Sequence, residues 1–485
     1  MNPSRLIRLA CASLLLPLAS LQGGEVNVWP FYVGQVDGEG STESAEALGP
    51  LLFARSGPPA QRGLRPIFLA SRDGELTERS FLYPFFVWRQ RPDFRTFSFF
   101  QLVNTRTDLT DAAHPDHRFD IWPFYFSRRS DDPAESYQAL FPVAGTIKNR
   151  FGRDQIRFRA FPLYSHTEKD GRHVTHAPWP FLRFIKGEGY DGFEFWPVYG
   201  RSRHAGDYDR QFWLWPLGFK SSTNLSEPVP DVKVGILPFY SRDTGPGYIR
   251  ENYAWPFFGY THRTEPYRYD ERRYFWPLLV QGEGDERRVN RWAPFYTHSI
   301  IKGTDKTWLM WPVYRNVRWD ADGVAQEKTQ LLFFLWWSLE QRSLTNPDAA
   351  PAYKSHLWPL YSAWDNGAGR RQVQALSPFE IFFPRNATVR QLWTPLFALY
   401  RYDRQSADTE RHALLWNAVT WRRAGADREF HLGPLFSSHT NAAGRRVALG
   451  HGLIGLRREP GRSWRLFLFD FRTKAAMKAD HAPTP

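Results

Sequence analysis

Few residues in this chain have types and spacings that could do chemistry. Gly187-Glu188-Gly189-Tyr190-Asp191-Gly192 matches the G-x-G-x-x-G string, which closes a tight turn against a dinucleotide pyrophosphate only where a helix N-terminus comes directly after it. The next residues, Phe193 to Tyr199, form an alternating aromatic stretch that reads as a strand, so the string reads as a hairpin turn. Asp320-Ala321-Asp322-Gly323 is a fragment of a calcium-loop pattern without the later acidic ligand, and it too reads as a turn. His114 with His117, and His173 with His176, form two pairs spaced three apart. On a strand that spacing puts partners on opposite faces, which does not suit a shared metal. The sequence contains no H-E-x-x-H, G-x-S-x-G or P-loop string. The single cysteine, Cys11, lies in the N-terminal apolar segment, so a mature chain has no thiolate chemistry and no disulfide. No catalytic, cofactor-binding or metal-ligating residue is assigned, and a non-enzyme is expected.

The N-terminus reads as an export signal. Arg5 and Arg8 give a basic start, Leu9 to Leu18 an apolar stretch, and Ala19 to Gly24 a small-residue cleavage zone. Its removal lowers the formal charge from +13 to +11. Basic residues are interspersed with acids in the turns, as in Asp285-Glu286-Arg287-Arg288, with no run of five like charges. Nucleic acid is therefore not an expected partner, and an anionic lipid or glycan surface is. No later stretch is long and apolar enough for a membrane helix, so any membrane role must use strands or surface binding.

These side chains are positioned by a repeat. An apolar or aromatic residue, proline, and two further apolar residues recur throughout, with the clearest copies at Trp29-Pro30, Trp122-Pro123, Trp196-Pro197, Trp255-Pro256, Trp311-Pro312 and Trp358-Pro359. The prolines of successive repeat copies from Pro123 to Pro312 stand 17 to 22 residues apart, which signals one supersecondary unit copied many times. Between copies the chain turns polar and carries hairpin punctuation, such as Lys169-Asp170-Gly171 and Asp365-Asn366-Gly367. The flanks are rich in strand formers.

Each unit of about nineteen residues is read as one strand of roughly 11–14 residues with a turn. A mid-strand proline removes a ladder donor, so the strand is expected to bend there, or to divide into two arms of about six residues with the aromatics packing the bend. The Trp and Pro residues named above are then the core of the repeat, in a waist apolar on both faces.

The fold predicted is an all-β antiparallel up-and-down meander of about 20–24 strands, closed into a large barrel. It fills residues 24–473 as one domain, after a signal at 1–23 and before a polar tail at 474–485. The function expected is that of an exported outer-membrane β-barrel-like protein, a pore or a surface scaffold. The alternative is a soluble periplasmic or secreted β-repeat protein that binds a glycan, a lipid or a protein.

Overall fold

The computed structural model describes residues 24–36, 42–111, 113–383 and 386–470. The expected signal and tail lie outside these residues. The described residues form 45 antiparallel strands that follow one another in an up-and-down meander. Among the described residues helix is confined to short pieces such as α1 (Ala387–Leu392) and α2 (Thr394–Phe397). The all-β antiparallel meander is therefore as the sequence indicates.

The strand count is not. Each nineteen-residue period holds two strands of about six residues, as with β19 (Tyr190–Phe195) and β20 (Tyr199–His204) around Trp196-Pro197-Val198. Strands run from four to eight residues, with no strand of 11–14 among those described. The physical reason is proline. Its missing N–H and fixed φ exclude it from a ladder interior but suit a connection, so the repeat reverses direction where a bend was expected. The number of strands doubles accordingly.

The other connections use the hairpin chemistry that the sequence shows. Asp170 and Gly171 have φ of 49° and 72°, the left-handed pair of a two-residue hairpin turn, and they fix Lys169 opposite Arg172. The strings Gly187 to Gly192 and Asp320 to Gly323 are likewise strand ends and turns.

Two compact units are formed, one joining the chain up to Tyr83 with the chain from Ala350 onward, the other running from Pro84 to Ala349. In the first unit the two chain segments are held together by buried ions. The strand β1 (Gly24–Val28) pairs with β2 (Tyr32–Val36), and its Glu25 N–H donates to the Glu429 carboxylate at 2.9 Å. A side chain thus caps a strand edge that could otherwise template a further strand. Glu25 itself accepts from Arg411 Nε at 2.8 Å and from Thr420 Oγ1 at 2.6 Å. Glu46 accepts from Arg65 Nη1 at 2.8 Å and from Arg401 Nη1 at 2.9 Å. Asn417 joins the two groups, donating to Glu46 and accepting from Arg411 Nη2 at 2.9 Å. Beside them, Leu392 of α1 packs on Phe53 and Leu69, and Arg65 Nε donates to the Gln391 carbonyl.

Burial raises the pKa of Glu25 and Glu46, and the arginine partners, Arg411 for the first and Arg401 with Arg65 for the second, more than offset it. Both acids titrate below an ordinary glutamate. A carboxylate held low in the folded state contributes stability that is complete above its unfolded value, 4.5, and is lost as the pH falls through the folded one. The urea midpoint of the first unit is therefore expected to hold steady from neutrality to about pH 5 and to drop below pH 4.5. A midpoint unchanged down to about pH 3 would contradict the ion network.

Candidate functional surface

An up-and-down meander places alternate connections on opposite edges of the sheet. Between β8 (Phe86–Gln90) and β34 (Trp336–Ser343) in the second unit there are 26 connections, thirteen on each edge. One edge carries the hairpin turns, such as Asp170-Gly171, Asp285-Glu286 and Asp322-Gly323. The other carries the proline repeat, and none of its thirteen connections contains a charged residue. All polar punctuation and all Trp-Pro motifs are thereby sorted to separate edges.

Most backbone donors of the proline edge are satisfied within the edge. In Ile121-Trp122-Pro123-Phe124 the Trp122 N–H donates to the Leu102 carbonyl of the preceding connection at 2.7 Å. The Phe124 N–H donates back to Ile121, and the Phe124 carbonyl accepts from Phe141 N–H of the next connection. Pro123 brings no donor. Where a connection has four residues with a proline, the extra N–H finds the previous proline, as Trp215 N–H does with the Pro197 carbonyl at 2.7 Å. The edge is a row of turns hydrogen-bonded to one another, leaving mainly apolar side chains to face outward.

Those side chains are open. Phe239, Phe295 and Leu163 are 73%, 65% and 64% exposed. Of the repeat residues assigned to a core, Trp122, Trp255 and Trp311 are exposed and Trp29, Trp196 and Trp358 half-buried; Pro30, Pro123 and Pro197 are exposed, and Pro256, Pro312 and Pro359 half-buried. None is buried, so the expected packing of a waist is replaced by an exposed rim. Neighbouring rings still touch along it, as with Trp196 and Trp215 at 5.9 Å and Phe161 and Trp179 at 5.6 Å.

The apolar character continues a short way up one sheet face. Outward residues counted from the rim read Phe195, Phe193, Asp191 on β19; Ile121, Phe119, His117 on β11 (Asp116–Ile121); and Phe258, Tyr260, His262 on β26 (Phe258–Arg263). On these three strands two apolar positions precede a polar one, whereas on strands such as that of Tyr199 and Arg201 or of Tyr240 and Arg242 the second outward position is already polar. The opposite face is largely buried and partly ionic, with Arg150 on Asp120 at 2.6 Å, Arg183 on Glu194 at 3.0 Å, and Ile185 fully buried. The strand middles are thus not apolar on both faces, because the apolar zone belongs to the rim.

The histidine pairs fall as their spacing requires. His173 and His176 occupy opposite faces of β17 (Arg172–His176), while His114 meets Asp111 and Asp131, and His117 meets Thr107. Sequence reading missed His166 and Glu168, which the hairpin brings to His173. No protein-family model matches the chain, and comparison with curated proteins finds no relative.

Proposed function

We propose that the protein is an exported, non-enzymatic scaffold of the outer membrane, a β-barrel-like meander seated in one lipid leaflet by its Trp-Pro edge. The observation that carries the reading is the uncharged rim of the second unit, thirteen connections long. Contiguous apolar surface on this scale is uncommon on a soluble monomer and marks a contact with a membrane or another protein. Lipid is favoured because most backbone donors of the rim are satisfied within it, as burial in hydrocarbon demands, and because tyrosines such as Tyr125, Tyr199 and Tyr240 stand at its border, where interfacial anchors stand.

Size favours the scaffold over the pore. A six-residue strand rises about 20 Å, whereas a membrane-crossing strand needs about 9–11 residues. The turn and the first outward position make an apolar band of roughly 5–10 Å along most of the rim, the depth of about 5–10 Å to which an apolar face enters the boundary of one leaflet. The charge balance of the mature chain suits anionic head groups.

Vesicle flotation tests the reading. The detergent-free chain is expected to rise with phosphatidylethanolamine and phosphatidylglycerol vesicles and to stay up at about 1 M salt, where attraction between exposed charges is screened. A chain that stays at the bottom of the gradient, or that leaves the vesicles in salt, contradicts insertion of an apolar edge.

A further inference from the structure

The geometry points to a metal site on the outward face of the hairpin formed by β16 (Tyr164–Lys169) and β17. We propose that His166, Glu168 and His173 bind one divalent d-block cation of the zinc class. Among the described residues this is the one place where three metal-ligating groups converge, their ligand atoms lying within 4.8 Å of one another.

The hairpin builds the site from register. The two-residue turn sets Glu168 directly opposite His173 and Thr175 opposite His166. His166 and Glu168 lie two apart on one strand and so share that face. One carboxylate oxygen, Glu168 Oε1, stands 3.0 Å from His166 Nε2 and 3.6 Å from His173 Nδ1. Around a tetrahedral zinc with bonds of about 2.0–2.1 Å, neighbouring ligand atoms stand about 3.3 Å apart, so both spacings bracket the one required. A cation between the three replaces two contacts to one oxygen with three metal bonds.

A separate contact orients the first ligand. His166 Nδ1 is 2.8 Å from Thr175 Oγ1; donation of the Nδ1 proton to that hydroxyl leaves the Nε2 lone pair facing the site, the outer-sphere arrangement usual for a ligating imidazole. His173 is the most exposed member, at 46%, so a fourth coordination position opens toward solvent, where water or a carboxylate or imidazole of a partner can enter. Register places Arg157 beside His166 and Lys186 beside His173. With one carboxylate against two flanking cations, the site does not suit calcium or magnesium, which need several hard oxygens. Imidazole donors favour zinc, copper or nickel.

The test is titration of the chelator-stripped full chain with zinc chloride by calorimetry, with cobalt as a spectroscopic reporter. One equivalent of zinc is expected to bind, and cobalt to give the intense visible bands of a tetrahedral site. His173→Gln and His166→Gln should each weaken zinc at least about tenfold, and Thr175→Val, which removes only the orienting contact, about tenfold. Circular dichroism of these variants should match that of the parent, since His166, His173 and Thr175 share the outward face of the hairpin and none of them is buried. Absence of saturable binding, or an affinity left unchanged by both histidine substitutions in correctly folded protein, would overturn the assignment.

Discussion

Glu46→Gln is expected to destabilise the first unit by about 3–5 kcal/mol, the usual cost of removing one partner from a buried ion group. The cost comes from the charges left behind. Arg65 is 5% exposed and loses its carboxylate at 2.8 Å, while Arg401 loses a two-pronged contact, and a buried guanidinium without a counter-charge is far worse than none. Glutamine keeps the volume, so the loss is electrostatic. Because Glu46 joins β3 (Thr42–Ala47) to a residue 355 positions away, the substitution should lower the urea midpoint of the unit and release its N-terminal strands together. Adding Arg401→Met to Glu46→Gln should cost less than the two changes summed, since it removes one of the stranded charges. Strict additivity in that double-mutant cycle would mean that the two residues do not share one network.

Placing aspartate at Leu163, Phe239 and Phe295 together should abolish membrane association with little effect on folding. Each side chain is mostly exposed, so the fold has little packing to lose. Full burial of a Leu or Phe side chain in hydrocarbon is worth about 1.5–3 kcal/mol, or about tenfold or more in partitioning each, before the cost of submerging a charge. The three lie in separate connections of one edge, and a combined loss of at least about a thousandfold is expected if all three are immersed. Aspartates at Asp170, Asp285 and Asp322 already occupy the other edge. Exchanging Glu286 for serine should therefore leave flotation unchanged. If the triple variant still floats like the parent, the rim is not what holds the protein to lipid.

The repeat, the strand character and the antiparallel meander were legible because periodicity and turn residues are local. The position of proline was not. A period near nineteen fits one long strand and a turn as well as two short strands and two turns, and the second turn lacks Gly, Asn or Asp to announce itself. Trp122-Pro123-Phe124 turns on hydrogen bonds to Leu102 and Phe141 of neighbouring connections, a tertiary arrangement that leaves no pattern within one repeat. The pairing of Glu46 with Arg401 is equally silent, since charge spacing says nothing across 355 residues. The His166, Glu168 and His173 group was within reach. Lys169-Asp170-Gly171 announces a two-residue turn, which by counting outward sets Glu168 against His173; attention to histidines spaced three apart concealed a site spread over two strands.

The most direct measurement is the depth of the rim tryptophans in vesicles whose acyl chains carry bromine at defined positions. Trp122, Trp255 and Trp311, each kept in turn as a reporter with tryptophans elsewhere replaced by phenylalanine, are expected to be quenched strongly by bromine within one leaflet and weakly by a water-soluble quencher. Equal access to the aqueous quencher with and without vesicles would contradict seating of the Trp-Pro edge in lipid.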